Sequence, residues 1–259
     1  MWKVRTSQEI EYMRESNRLL GILHEELKGH LKPGMTTQDL DDIAEGILKR
    51  FGVVSNFKNY DGFPANICVS VNDEIVHGIP SKSRVLGEGD IVSIDAGLIY
   101  KGYHSDAART YGVGEISPEA ARLIRVTRDS FFAGIRQAVA GNHINDVSRA
   151  IGEYAQEHGM GVVKELTGHG IGTALHEKPY IPNYARRLPG VRLRAGYTLA
   201  VEPMLTLGRP DIEFAADDSA VITQDGSWAA HYENTILITP DGAPEILSLG
   251  PEERKELGL

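Results

Sequence analysis

Four carboxylates and three histidines stand where this chain could do chemistry. Asp95 closes the apolar run Ile91-Val92-Ser93-Ile94. Asp106 follows the turn Tyr100-Lys101-Gly102-Tyr103, at the expected start of another strand. Glu202 ends Leu199-Ala200-Val201, and Glu233 opens Asn234-Thr235-Ile236-Leu237-Ile238. An ionised carboxylate on a buried strand is costly unless it is paired or bound to metal. Singly, each of these acids reads as a turn residue or an ion-pair partner. Placed symmetrically in two halves of the chain, they point to a shared cation. The histidines sit in turns marked by glycine or proline: His77, His169 and His176. A lone strand histidine is more often a satisfied core residue. The glycines of Thr167-Gly168-His169-Gly170-Ile171-Gly172, however, allow close backbone approach to whatever the His169 ring holds.

Four carboxylates with one imidazole form a hard, oxygen-rich donor set. Such a set suits Mn²⁺, Fe²⁺, Co²⁺ or a catalytic Zn²⁺ rather than a closed structural zinc. Four negative charges balance two divalent cations, so a bridged dinuclear site would be nearly neutral. Without metal the same carboxylates repel one another, and some must take up protons. Other chemistries drop out. There is no Gly-x-Ser-x-Gly elbow, no His-Glu-x-x-His and no phosphate-binding Walker loop. Lys164 and Thr173 stand where the two nearest approximations to a dinucleotide fingerprint need glycine.

The elements that must position these residues follow from periodicity. Residues 8–29 and 37–51 read as helices, the second entered by a capping box of Thr36 with Asp39. Ser117-Pro118-Glu119 starts a helix expected over 118–139, and another is expected over 144–158. Runs with strand character occupy 52–57, 66–71, 90–96, 107–113, 161–166, 197–202, 219–223 and 233–239. The order helix, helix, strands therefore occurs twice. Gly34 to Gly52 aligns without gaps on Gly141 to Gly159, an offset of 107, and Gly89 to Asp95 falls on Gly196 to Glu202 at the same offset. The expected architecture is α/β, with two similar halves (about 8–113 and 117–240) packed as a single domain over 1–259.

The 259 residues carry 27 Lys+Arg against 36 Asp+Glu, a formal net charge of −9 that argues against broad nucleic-acid or membrane binding. One cysteine, Cys68, excludes an internal disulfide framework and fits a reducing compartment. No apolar run follows the basic residues near the N-terminus, and none is long enough for a membrane span. The expectation is a cytoplasmic protein that meets no membrane, most simply a monomer.

Seven strings occur in order: Val76-His77-Gly78-Ile79-Pro80, Ser93-Ile94-Asp95-Ala96-Gly97, Ser105-Asp106, Thr167-Gly168-His169-Gly170-Ile171-Gly172, His176-Glu177, Val201-Glu202-Pro203-Met204 and Glu233-Asn234-Thr235. Together, and over nearly the whole chain, they resemble the type I methionine aminopeptidases. The resemblance implies the pita-bread fold, two pseudo-symmetric α/β halves around a dinuclear site of Co, Mn, Fe or Zn. It implies Asp95, Asp106, His169, Glu202 and Glu233 as metal ligands, with Asp106 and Glu233 as bridging candidates. It further implies hydrolysis by a hydroxide activated on the two metals, Glu202 shuttling the proton. His176 would stabilise the oxyanion and His77 would hold the scissile amide or the second residue's backbone. The substrates implied are nascent polypeptide N-termini, cut after the initiator methionine when the second residue is small.

By the same resemblance the methionine pocket is lined by Phe57, Tyr60, Phe63 and Cys68, with Leu175 beside the second catalytic histidine. Aromatic edges and a sulfur suit a flexible thioether, although each of these residues alone also reads as ordinary core. Leu175 and Ser219 stand where a bulkier aromatic and a tryptophan are expected, which would widen the mouth. Prolidases and aminopeptidase P resemble the ligand set but carry an additional N-terminal domain, for which a first ligand at residue 95 leaves no room. Glu202 and Glu233 are 31 residues apart, so the type II insert is absent. A non-catalytic binding protein on the same scaffold is the alternative of another class. Finally, Arg186, Arg187, Arg192 and Arg194 form a basic cluster in an acidic chain. It reads either as a solvated loop or as a contact for ribosomal RNA.

Overall fold

The computed structural model describes residues 3–216 and 220–259. Ser219 therefore lies outside the described residues. Two helices open the chain, α1 (Ser7–His30) and α2 (Thr37–Phe51), and both begin with a closed capping box, Thr6 with Glu9 and Thr36 with Asp39. In each box the hydroxyl accepts a backbone N–H of the first turn while the acid returns to the cap's own N–H. Strands β1 (Val54–Ser55), β2 (Ile67–Val71), β3 (Glu74–Val76), β4 (Ile91–Tyr100) and β5 (Tyr103–Gly112) follow. The second half repeats the plan with α3 (Pro118–Ile135), α4 (Ile144–Glu157), β6 (Gly161–Val162), β7 (Thr167–Gly170), β8 (Glu177–Pro182), β9 (Thr198–Val201) and β10 (Met204–Thr206). It continues through β11 (Ile212–Phe214), β12 (Val221–Thr223), β13 (Ala229–His231), β14 (Asn234–Leu237) and β15 (Glu245–Ile246) to α5 (Pro251–Leu257).

The offset of 107 seen in the sequence has a structural counterpart. The bridge between Thr36 and Val85 recurs between His143 and Arg192. The hydrogen bond from Gly34 N to Leu86 O (2.8 Å) recurs from Gly141 N to Leu193 O (3.0 Å). Each half packs its helix pair on its own sheet. Leu20, Leu23, Leu27 and Leu40 meet Val69, Ile94 and Leu98 in the first half. In the second, Phe131, Val147 and Ile151 meet Leu199, Val201 and Ile236. Each fully buried leucine or isoleucine contributes about 1.5–3 kcal/mol relative to exposure, so the two cores fix the helices against the strands that carry the site.

Those strands depart from the expected boundaries in a way that matters. Tyr100 pairs with Tyr103 across Lys101 and Gly102, both at positive φ (49° and 81°), as a two-residue hairpin turn demands. The hairpin runs ten residues on each side, so Asp95 and Asp106 lie inside β4 and β5 rather than at strand ends. Asp95 pairs with Ala108 and Gly97 with Asp106, and the period-two alternation puts both carboxylates on one face. Residues 52–57 shrink to a two-residue strand, residues 161–166 to Gly161–Val162, and α3 ends at Ile135 rather than 139. Among the described residues no helix is long and apolar enough to cross a membrane.

Candidate metal centre

The two halves are stitched together where their acids meet. Glu233 N donates to Ala108 O (2.9 Å), and Thr235 Oγ1 donates to Asp106 O (2.9 Å). On β9 and β14, Val201 pairs with Asn234, so Glu202 and Glu233 leave that ladder side by side. His169, on β7 of the five-stranded sheet ordered β15-β14-β9-β7-β8, pairs with Ala200 on one side and Tyr180 on the other. Its flanking glycines serve this strand packing. A Cβ on Gly168 would stand 2.5 Å from Ala200 O, and one on Gly170 would stand 2.6 Å from Lys178 O.

The donor atoms converge in three overlapping groups, each with its atoms within 4.8 Å of one another: Asp95 with Asp106 and Glu233; His169 with Glu202 and Glu233; and Asp106 with His169 and His176. His169 Nδ1 donates to Gly170 O (2.9 Å), leaving the Nε2 lone pair facing Glu202 Oε1 at 3.5 Å and Asp106 Oδ2 at 3.6 Å. Asp95 Oδ1, Asp106 Oδ1 and Glu233 Oε1 are buried without a hydrogen-bond partner. Such orphaned oxygens are costly unless a cation takes them.

The electrostatics agree. Burial, reinforced by the neighbouring Asp106 and Glu202 charges, pushes the Asp95 and Glu233 carboxyls far above the carboxylate range. Burial opposes charge on His169, but its bond to Asp106 and the Glu202 charge outweigh this and raise its pKa. A cavity crowded with anions that favours protons in this way equally favours divalent cations, so the residues fit a metal centre.

Around this centre a cavity of about 490 Å³ is lined by all the expected ligand, catalytic and pocket residues: Asp95, Asp106, His169, Glu202 and Glu233, with His77 and His176 at its rim and Phe57, Tyr60, Phe63, Cys68 and Leu175 on its apolar wall. The two rim histidines are reached by solvent through the mouth, yet protein surrounds them on most sides. The desolvation holds both imidazoles below their usual pKa. His77 adopts a left-handed backbone (φ 64°) just after β3. Tyr60 Oη lies 2.8 Å from His176 Nδ1, and the His176 ring stands edge-on to His169 at 4.4 Å. Phe57, Cys68 and Leu175 pack in one apolar cluster with Met13, Ile171 and Phe63. Leu175 is only 2% exposed and forms part of the wall. Burial beside the carboxylates raises the Cys68 thiol, which stays protonated and apolar.

Two histidines escaped the sequence reading. His231 is buried with both ring nitrogens unpartnered, its Nε2 3.6 Å from Glu202 Oε2. His104 is also close to the centre: burial lowers its pKa and the Asp106 charge raises it, the lowering winning. Each lies two residues before a site carboxylate, Glu233 and Asp106 respectively. Strand alternation, applied backwards from those acids, could have found both.

The profile of metallopeptidase family M24 matches residues 11–240. A methionine aminopeptidase of Clostridium acetobutylicum is 51% identical over 246 residues, 95% of this chain and 98% of that relative. The crystal structure of a methionine aminopeptidase from Thermotoga maritima superposes with a TM-score of 0.93 at 41% identity, covering 96% of this chain and 99% of that one. A Xaa-Pro dipeptidase from Bacillus anthracis superposes less well, with a TM-score of 0.78 at 25% identity, and this chain spans only 62% of it. The fold is the mixed α/β pita-bread fold. With the whole-length likeness, the matching profile and the clustered donors together, the chain belongs to metallopeptidase family M24.

Proposed function

We propose that the chain is a methionyl aminopeptidase that works as one catalytic domain over 1–259, removing the N-terminal methionine of nascent proteins when the second residue is small. The observation that carries this reading is the single cavity in which clustered metal donors, two rim histidines and an apolar wall meet. Asp95, Asp106, His169, Glu202 and Glu233 would hold two divalent ions. Cobalt, manganese, iron or zinc all suit such a set. Bound there, divalent cations polarise a carbonyl and lower the pKa of water toward neutrality.

The remaining steps belong to the chain's own side chains. A Glu202 carboxylate oxygen moves the proton from water to the leaving amine. His176 donates a hydrogen bond to the carbonyl oxygen as negative charge develops there, and His77 holds the amide. The wall of Phe57, Tyr60, Phe63, Cys68 and Leu175 takes the unbranched thioether, whose flexibility and polarisable sulfur suit aromatic contact. A carbonyl that must pass between two histidines leaves little room for a bulky second side chain. The reaction meets nascent N-termini in the cytoplasm, where a free, buried Cys68 is stable.

Release of methionine from Met-Gly-x and Met-Leu-x peptides, with and without added Mn²⁺ or Co²⁺, tests the assignment. Metal-dependent release from the first and little from the second is expected. Comparable rates on both would refute the steric account, and cleavage of x-Pro bonds would favour the other activity found on this fold.

A further inference from the structure

Residues 171–177 leave β7 and enter β8 as an irregular turn, yet this turn carries His176. No strand ladder holds its middle. His104 N donates to Gly172 O (2.8 Å) on its first side, and a carboxylate braces the rest: Glu177 Oε1 accepts from Thr173 N (2.8 Å), Ala174 N (3.3 Å) and Thr173 Oγ1 (3.3 Å). The other oxygen, Oε2, is taken by Arg5 Nη2 in an ion pair. Arg5 comes from the extended segment ahead of α1, beyond the reach of the family profile. Its side chain is 2% exposed, unusual for an arginine.

The guanidinium also donates to Ile171 O (3.0 Å) from Nη2 and to Thr198 Oγ1 (3.2 Å) from Nε. The Arg5 backbone is tied down separately, its N–H donating to Gly196 O (2.9 Å). Gly172 lies so close beneath the guanidinium that any Cβ there would collide with it. One planar fork therefore spans both ends of the turn, Ile171 and Glu177, and anchors them to β9 at Thr198. Arginine suits this task better than lysine, because its donors are fixed in a plane.

We propose that Arg5 is a positioning residue for His176, acting through Glu177 to hold the 171–177 turn in the geometry that presents the imidazole to the cavity. This rests on the assignment of His176 as a catalytic histidine. Misplacement of a catalytic group by about 1 Å costs up to about 10²-fold in rate. The loss should fall on kcat more than on KM and leave the metal in place.

The test compares R5A, R5K, E177Q, H176A and the double variant R5A/H176A. Each is assayed for kcat and KM on Met-Gly-x peptides and for bound Mn²⁺, with amide hydrogen exchange over 171–177 measured alongside. R5A should lower kcat by about ten- to a hundredfold with normal metal content, and R5K should recover part of it. In the H176A background the same substitution should cost almost nothing, an outcome that a general loss of stability would not give. Wild-type kcat in R5A, or an equal loss in both backgrounds, overturns the proposal. Should R5A fail to fold, R5K and E177Q carry the same comparison. If H176A itself turns over normally, the catalytic assignment fails, while faster exchange over 171–177 in R5A still supports the positioning role.

Discussion

Tyr60 Oη sits 2.8 Å from His176 Nδ1, joining a loop of the first half to a turn of the second. Tyr60 begins a short 3₁₀ turn (Tyr60–Gly62) flanked by left-handed backbone at Asn59 (φ 70°) and Asp61 (φ 47°). Burial raises the phenol's pKa, so the hydroxyl keeps its proton and can donate it in the bond to Nδ1. That tautomer leaves the N–H of His176 on Nε2, which an oxyanion donor requires.

Loss of this bond has a measurable consequence. Tyr60→Phe keeps the aromatic wall and removes only the hydroxyl, so kcat should fall about tenfold, the worth of one neutral hydrogen bond. His77→Ala and His176→Ala should each lose about 10²–10⁴ in kcat while retaining the metal. Metal loss in His176→Ala would make that histidine a ligand, as its proximity to Asp106 and His169 allows.

His169→Ala and Glu233→Ala should abolish turnover and lower metal content together. His169 supplies a nitrogen donor to two of the three groups, and Glu233 joins two of them. Metal analysis by mass spectrometry beside the peptide assay checks this. Normal activity at wild-type metal content in either variant would remove the residue from the ligand set.

How much of this could be read beforehand depends on what each segment draws its structure from. The capping boxes of α1 and α2 are local chemistry, and the Thr36–Asp39 box appears as expected. Ser117 caps α3 by accepting from Ala120 N, with Pro118 at the first helical position. Beta structure depended more on partners. Thr167-Gly168-His169-Gly170 has poor strand propensity, and it is a strand because Ala200 and Tyr180 pair with it from either side. The hairpin of β4 and β5 outran its apolar run because Gly97 continues the ladder opposite Asp106. The side chains for the centre were legible as types, since few buried acids lack a purpose. The turn that aims His176 was not, because the residue that fixes it, Arg5, is 171 positions away.

His24 makes a prediction about stability and pH. It is buried on α1 with Nε2 bonded to Ala107 O (2.9 Å) and Nδ1 without a partner. Burial, then the nearby Arg109 charge, pushes its pKa down to about 3. The folded chain thus keeps His24 neutral at pH values where the unfolded chain, with an ordinary value near 6.5, protonates it. Stability should fall as pH drops through that window, by about 1.4 kcal/mol per unit for this group, and the contribution should be complete above it. Asp95 and Glu233, raised in the fold, push the other way in metal-free protein, so the comparison must be made against a variant. His24→Gln keeps a donor for Ala107 and removes the titration. Urea unfolding in EDTA from pH 7 to 4 should show a shallower acid slope for the variant, and equal slopes would discard the account.

The basic loop between β8 and β9 bears on where the enzyme works. Arg186, Arg187, Arg192 and Arg194 are all exposed. They are not equivalent, however. Arg192 Nε donates to Gly141 O (3.0 Å) and helps close the second half, and the Arg186 guanidinium rests 5.9 Å from the Tyr184 ring. Arg187 and Arg194 have no such side-chain tie described, and with Arg186 they leave an exposed positive surface on a chain of net charge −9. Phosphate contacts need no sequence reading and weaken steeply with salt, each neutralised phosphate adding about one unit of slope in log K against log salt. Replacing Arg186, Arg187 and Arg194 by glutamate, with Arg192 kept to preserve the loop, should weaken co-sedimentation with ribosomes at low salt. Peptide turnover should stay nearly unchanged, because none of the three lines the cavity. Ribosome binding that is unaltered in this variant would make the cluster ordinary surface charge.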